Sequence, residues 1–143
     1  MFVRRWDPPT KILIVGEGPY VDALVALAAA TDCQTVRCGS SAPGPETLDS
    51  YSAVVLLMHD HDNEPAILET VLRSDCFYVG ALGSRTTHKR RVEHLEQLGV
   101  PAKQIGSIHG PVGLAIGARS PHEIALSILA EITMKKHQRS SNV

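Results

Sequence analysis

An α/β domain is expected here, three layers deep, with an open and mostly parallel sheet between two layers of helices. Three features of the chain predict it. Short apolar runs alternate with segments of helical periodicity across brief links, the pattern of strand-helix-strand units. The run Ala53–Met58 is apolar on both faces, which suits a strand covered on both sides, as in a parallel sheet. The run Lys11–Val15 (KILIV) passes directly into Gly16, as a strand does when it turns into a helix.

Taken in order, Lys11–Val15 is the first strand. Over Pro19–Ala30, Val21, Leu24, Val25 and Ala28 recur at helical spacing and the alanines favour helix. Gln34–Cys38 reads as the second strand, and GSSAPGP after it is loop chemistry. Ala53–Met58 is the third. A helix is expected from about Glu64 to Arg73 with Pro65 in its first turn. Phe77–Val79 is the fourth strand, followed by a glycine loop and a helix from about Thr86 to Leu98. Gly99 and Pro101 end that helix. Ile105–Ile108 is expected to be a short strand. Ser120–Glu123 (SPHE) is a capping box with Pro121 at the first helical position. Behind it Ile124, Leu126, Ile128, Leu129 and Ile132 predict a closely packed final helix. The tail, about residues 137–143, is expected to fray.

At 143 residues the chain is expected to be one domain, residues 1–143. It is long enough to bury roughly two-thirds of its unfolded surface. A hydrophobic fraction of 43% with 20% charged residues describes an ordinary globular protein. The net charge of −1 excludes the strong basic excess of a nucleic-acid binder. No apolar run approaches the ~18 residues of a membrane span. No apolar stretch follows the first methionine, so no signal peptide is expected and the cytoplasm is the expected compartment. Cys33, Cys38 and Cys76 fit no zinc spacing and are read as reduced, small buried side chains.

In such folds ligands bind beyond the carboxyl ends of the strands. Four loops fall there: Gly16–Gly18, His59–Asp62, Gly80–Arg85 and His109–Gly117. The first, GEGPYV, is two-thirds of a dinucleotide fingerprint, with Gly16 and Gly18 in place and Val21 where a third glycine belongs. An acidic residue about 20 positions on would grip the ribose of NAD; RCGSS stands there instead, leaving Arg37 or the serines to meet a 2′-phosphate. The third loop ends a strand in Gly80 and Gly83, then offers Ser84 and Arg85, with Lys89, Arg90 and Arg91 behind. Cations on the first turns oppose the helix dipole unless something anionic meets them. The fourth loop carries Gly110, Gly113 and Gly117, with His109 and Arg119 as candidate contacts. In the second, His59 and His61 are alternate residues that share a side of an extended chain. They suit ligand contact or proton transfer, and the carboxylates beside them suit a helix amino end. No metal site is expected, because a third ligand of fixed geometry is not required by anything in the sequence.

Three of these stretches carry a resemblance. MHDHDNEPAILETVL, YVGALGSRTTHKRRVEHLEQLGVP and IHGPVGLAIGARSPHEIALSILAEI resemble, in order, the signature segments of the carboxyl-terminal domain of the XdhC/CoxI family, over about Lys11 to Lys136. The resemblance implies a Rossmann-like domain and an accessory or chaperone role in maturing molybdenum hydroxylases such as xanthine dehydrogenase. It implies binding of molybdenum cofactor and transfer to the apo-hydroxylase, with a cofactor-sulfurating enzyme as a further partner and a homodimer as the family's habit. Residue by residue it points to His59, His61, Gly80, Gly83, Ser84, Arg85, Gly113, Gly117 and Arg119 as the ligand surface, with Gly16 and Gly18 less so. It assigns no catalytic residue and implies a maturation factor rather than a turnover enzyme.

The chain also departs from the family. Its usual G-A-G-H-V-G is GEGPYV, the acidic end of the second strand is absent, and the aspartate of G-L-D-I-G is Ala115. The resemblance covers only the family's carboxyl-terminal domain, about half of a usual member, and the amino-terminal domain with its cysteine-containing motif is not expected here. Two other readings stay open: an NAD(P)-dependent oxidoreductase using the GEG loop, and a non-catalytic module that pairs with a separate protein carrying the amino-terminal half.

Overall fold

Five short strands build the sheet, and their alternating side chains make two cores. The computed structural model describes residues 8–59 and 63–141. The strands are β1 (Lys11–Val15), β2 (Gln34–Gly39), β3 (Ser52–Leu56), β4 (Tyr78–Ala81) and β5 (Ile108–His109). All pairings are parallel and the order across the sheet is β2-β1-β3-β4-β5. Helices α1 (Pro19–Ala28), α2 (Glu64–Leu72), α3 (Arg85–Gln97) and α4 (Ala102–Ile105, one turn) lie in the connections, with a 3₁₀ turn at Pro45–Thr47, and α5 (Pro121–Ser141) follows the last strand.

Successive residues of a strand face opposite sides. In β1 and β3, Ile12, Ile14, Ala53 and Val55 meet Val21 and Leu24 of α1 and Ile128 and Ile132 of α5. Leu13, Val15, Val54 and Leu56 meet Ile67, Leu68 and Val71 of α2 and Leu95 of α3 on the other side. The double burial explains why β3 is apolar nearly throughout: all five of its residues are buried. Each large apolar side chain contributes about 1.5–3 kcal/mol when fully buried.

The expected elements fall within two residues of the observed ones, with three differences. Ile105–Ile108 is not one strand: Ala102–Ile105 is a helical turn, and β5 begins at Ile108. Pro101 leads into that turn, whose amides at Gln104 and Ile105 donate to Pro101 O (3.0 and 3.1 Å), and Ile105 reaches the core from it. The tail does not leave the helix at residue 137; α5 runs to Ser141. Lys135, Lys136 and Gln138 are good helix formers, and adding residues to an anchored helix costs little. Leu126, expected among the packed residues of α5, is 55% exposed instead. The cysteines are only half-buried, and burial pushes the Cys38 and Cys76 thiols up from their ordinary value, which keeps them protonated.

The chain lays β2 on one side of β1 and then returns to place β3 on the other. The topological switch point therefore lies between β1 and β3, and the crevice beyond their carboxyl ends is where an open sheet of this kind receives a ligand.

Candidate functional site

At the switch point, β1 runs into Gly16, whose N–H donates to Gly39 O of β2 (2.6 Å). On the other side Leu57 N–H donates to Val15 O (2.8 Å), which draws the β3 exit against the GEG turn. Gly18 caps α1 without a side-chain acceptor, and Pro19 at the first position supplies no N–H. Glu17, between the two glycines, is exposed, and its carboxylate adds negative charge to the turn that a phosphate would approach. Val21, in the place of the third glycine, is 1% exposed and fills the core. Arg37 is turned to Asp22 of α1 (3.0 Å); both are more than half exposed, so the pair adds little to stability. His59 is exposed just beyond β3. His61, Asp60 and Asp62 lie outside the described residues. Asn63 Nδ2–H donates to Ser40 O (3.2 Å), joining the β3 loop to the β2 loop.

The next link is buried. Glu64, the first residue of α2, is 3% exposed and pairs with Arg91 of α3, itself 4% exposed. Arg91 Nε–H donates to Glu64 Oε1, and Nη2–H donates to Glu64 Oε2 (3.4 Å) and to Leu82 O (2.7 Å) in the β4 loop. Nη1–H donates to His88 Nδ1 (2.9 Å), which requires that nitrogen to be unprotonated. Burial, and then the Arg91 charge, hold His88 below its usual pKa, with Glu64 opposing. His88 also lies against Gly110 so closely that a Cβ there would overlap its ring. One arginine thus ties the exit of β3, the exit of β4 and the start of the β5 loop together. The sequence places Arg91 among four cations free to meet an anion; the structure commits it inward, and Arg85, Lys89 and Arg90 are the exposed ones.

Beyond β5 the chain crosses from the α3 side to the α5 side. Val112 N–H donates to Ala81 O (3.0 Å) and Leu114 N–H to Ser127 O of α5 (3.1 Å). Glu131 of α5, 7% exposed, accepts from the Tyr78 hydroxyl (2.6 Å) and from Gly113 N–H (3.1 Å). His109 Nδ1 stands 3.5 Å from the same oxygen, and its ring stacks on Tyr78 with centroids 4.6 Å apart. Burial and the carboxylate both push the Tyr78 hydroxyl far above its usual pKa, so it is a fixed donor. Farther along, the capping box forms as expected. Glu123 N–H donates to Ser120 Oγ (3.2 Å), and Glu123 Oε1 accepts from the amides of Ser120 (3.1 Å) and Arg119 (3.0 Å), which hold its carboxyl below the usual range.

Burial also lowers the pKa of His109, with Glu131 opposing and Lys135 assisting. His88 and His109 are therefore protonated in the unfolded chain before the folded one. As pH falls below their ordinary 6.5 the unfolded state binds more protons, and stability present above that pH is lost. Urea midpoints are expected to decline from pH 7.5 to 5, a window above the carboxylates, and less so in His109→Gln. A flat profile would count against both assignments.

The remaining expected site residues separate into two groups. Gly80 is a buried residue of β4: a Cβ there would stand 2.5 Å from Val112 Cγ2 and 2.8 Å from the Tyr78 hydroxyl, so packing accounts for it. Gly113 lies closely against Ser127. In contrast, Arg85, Gly117 and Arg119 are on the accessible surface with His59. Gly83 begins the β4 turn, and Ser84 Oγ caps α3 by accepting Thr87 N–H (3.1 Å). Glu64, Arg91, His88, Tyr78 and Glu131 build the site without standing out in the sequence. A signal exists for Arg91, which lies one turn from His88 and one from buried Leu95 on α3. One exists too for Glu131, set beside Ile128 and Ile132 on the buried face of α5. Concavities of about 440 and 330 Å³ open elsewhere, at Leu48 and Arg73 and between Leu13 and Val36; neither is lined by an expected site residue of the ligand surface. Among the described residues, no three His, Cys, Asp or Glu side chains gather as a metal ion would need. Likewise, no helix among them is long and apolar enough to cross a membrane.

The chain is similar to known proteins. The molybdenum cofactor insertion chaperone PaoD of Escherichia coli (strain K12) is 34% identical over 99% of this chain and 45% of its own length. A protein of Bacillus subtilis (strain 168) described as a probable xanthine dehydrogenase subunit is 30% identical over 92% of this chain and 44% of its own. Among solved structures, a xanthine dehydrogenase from Bacillus halodurans superimposes with a TM-score of 0.72 at 26% identity, over 92% of this chain and 44% of that one. The chain thus spans less than half the length of these relatives. The XdhC Rossmann domain matches residues 12–132, from the first buried residue of β1 to the middle of α5, and the chain belongs to that family.

Proposed function

We propose that this domain handles molybdenum cofactor in an accessory protein that matures a molybdenum hydroxylase of the xanthine dehydrogenase kind. The observation that carries it is the 34% identity, over nearly the whole chain, with a protein named as a molybdenum cofactor insertion chaperone. The geometry supports the chemistry. Arg85, Lys89 and Arg90 are exposed at the amino-terminal half of α3, where cations oppose the helix dipole, and a phosphate-bearing pterin would relieve that opposition. His59, Gly83, Ser84, Gly117 and Arg119 belong to the loops that follow β3, β4 and β5, with His61 between them in sequence and outside the described residues. Gly80 and Gly113 support the surface from beneath. The group would supply a phosphate, a pterin and a metal centre; the protein's part is to hold and release it, delivering it to the apo-hydroxylase with or without a sulfurating enzyme. Against the NAD(P) alternative stand Glu17 in the GEG turn, Pro19 at the start of α1 and the missing ribose carboxylate.

Its test is co-elution. Purified chain mixed anaerobically with released molybdenum cofactor is expected to carry pterin absorbance and molybdenum through gel filtration in equal proportion. Arg85→Ala is expected to lose most of the bound cofactor while its unfolding free energy stays within about 0.5 kcal/mol, because an exposed arginine at a helix start contributes little to folding. Retention of cofactor by wild type and variant alike would remove Arg85 from the site. Retention of NAD(P) in place of the cofactor would overturn the reading.

A second reading is that the domain acts by pairing with a protein that bears the amino-terminal half. Co-purification of the two with 1:1 stoichiometry, and cofactor retention only by the pair, would distinguish it.

A further inference from the structure

We propose that Glu131 is the positioning residue for the arch Gly113–Arg119, fixing from the middle of α5 the loop that presents Gly117 and Arg119; that these residues meet a ligand rests on the cofactor-handling reading. Both feet of this arch are backbone amides held by carboxylates of the same helix. Glu131 takes Gly113 N–H (3.1 Å) at the first foot, and Glu123 takes Arg119 N–H (3.0 Å) at the second. Between them Ala115, Ile116 and Gly117 are exposed, Ile116 at 53%, and a Cβ on Gly117 would meet nothing within 4 Å.

The two feet differ in kind. Glu123 belongs to an ordinary helix cap at the surface. Glu131 sits on a face otherwise occupied by Ile128 (0% exposed) and Ile132 (1%), where a carboxylate is costly unless it is hydrogen-bonded. What it bonds to is informative. Tyr78, from the start of β4 and 1% exposed, donates at 2.6 Å and orients the carboxylate, and the same oxygen then takes the loop amide. A bond from N–H to an ionised acceptor is about twice as strong as a neutral one. An apolar residue at 131 would pack against its neighbours equally well and leave the arch without this tie.

Amide exchange by NMR tests it on the full chain. In Glu131→Met, which keeps volume and removes the acceptor, Gly113 is expected to exchange about tenfold faster relative to the Ile14 amide, the effect of losing roughly one such bond. Cofactor affinity should fall by a similar factor. Glu131→Gln, which restores an acceptor oxygen, should recover most of both. Tyr78→Phe, which removes the hydroxyl that orients the carboxylate and also neighbours the Gly113 amide, should lower stability and loosen Gly113 and affinity less than Glu131→Met does. Unchanged Gly113 exchange in Glu131→Met overturns the proposal. So does an affinity loss in Tyr78→Phe equal to that in Glu131→Met, since stability alone would then explain both. If Glu131→Met does not fold, the Gly113 amide proton decides: its resonance should move upfield in Glu131→Gln as the charge is removed, and a stationary resonance overturns the tie. Should the wild type bind no cofactor, the functional reading fails, while Gly113 exchange still decides whether Glu131 holds the arch.

Discussion

Replacing Arg91 by leucine is expected to lower the unfolding free energy by about 3–5 kcal/mol, the loss seen when one partner of a buried ion pair is removed. The size follows from what is left behind. The side chains of Arg91 and Glu64 are 1% and 4% exposed, so water cannot take the guanidinium's place. The Glu64 carboxylate would lose the donors from Nε and Nη2, and Leu82 O would lose its 2.7 Å donor. Lysine is expected to rescue little, because one ammonium cannot meet a carboxylate, a carbonyl and an imidazole from a planar fork. Substituting both partners, as Glu64→Leu with Arg91→Met, is expected to recover much of the loss, since an apolar pair of similar volume leaves no buried charge. Urea unfolding of Glu64→Leu, Arg91→Met and the double at pH 7 gives the coupling directly. A single-variant loss below about 1 kcal/mol would show that water reaches Glu64 and that the pair is no hub. The pair exceeds a stabilising role through geometry: it joins the loops after β3 and β4, and through His88 the loop after β5, so its loss is expected to loosen the ligand surface as well.

That hub shows where the sequence was legible and where it stopped. Strand and helix positions follow from local chemistry: a nearly unbroken apolar run in β3, a proline and glutamate at the start of α2, the Ser120–Glu123 box before α5. The parallel sheet followed from β3 being apolar on both faces. The loops after the strands could therefore be named as the place for a ligand. What each residue does there depends on partners 18 to 53 positions away, as with Gly113 and Tyr78 on Glu131, and no local pattern encodes them. Arg91 illustrates the failure. Within RTTHKRR the arginines look alike, and a charge run reads as a solvated face. The helix turns one of them inward, onto the side of Leu95, where only a carboxylate arriving from α2 makes burial tolerable. Gly80 illustrates the converse. Its place shortly before Gly83 groups it with the ligand loop, yet it lies within β4 and is small because Val112 and Tyr78 fill the space a side chain would need.

Gly16→Ala is expected to be the other severe change, costing about 2–4 kcal/mol from backbone strain and overpacking together. Gly16 has φ of +124°, a region that L side chains rarely adopt. An added Cβ would also stand 2.7 Å from Leu57 O and 2.8 Å from Leu57 C. These are backbone atoms of the β3 exit, tied to β1 by Leu57 N–H and Val15 O at 2.8 Å, so no side chain can rotate away to make room. Relief requires β1 and β3 to part at their carboxyl ends, which is the switch point itself. Gly18→Ala offers the matched comparison. Its φ is +112°, but nothing lies within 4 Å of the added Cβ, so it keeps the strain and lacks the clash. Thermal or urea unfolding should therefore rank wild type above Gly18→Ala, and Gly18→Ala above Gly16→Ala. Equal losses would mean that strain alone sets the cost and that the β3 exit yields freely. If Gly16→Ala also lowers cofactor retention while Gly18→Ala does not, the crevice serves the ligand through its width. The first glycine then keeps two strands together, and the GEG turn needs no nucleotide to account for it.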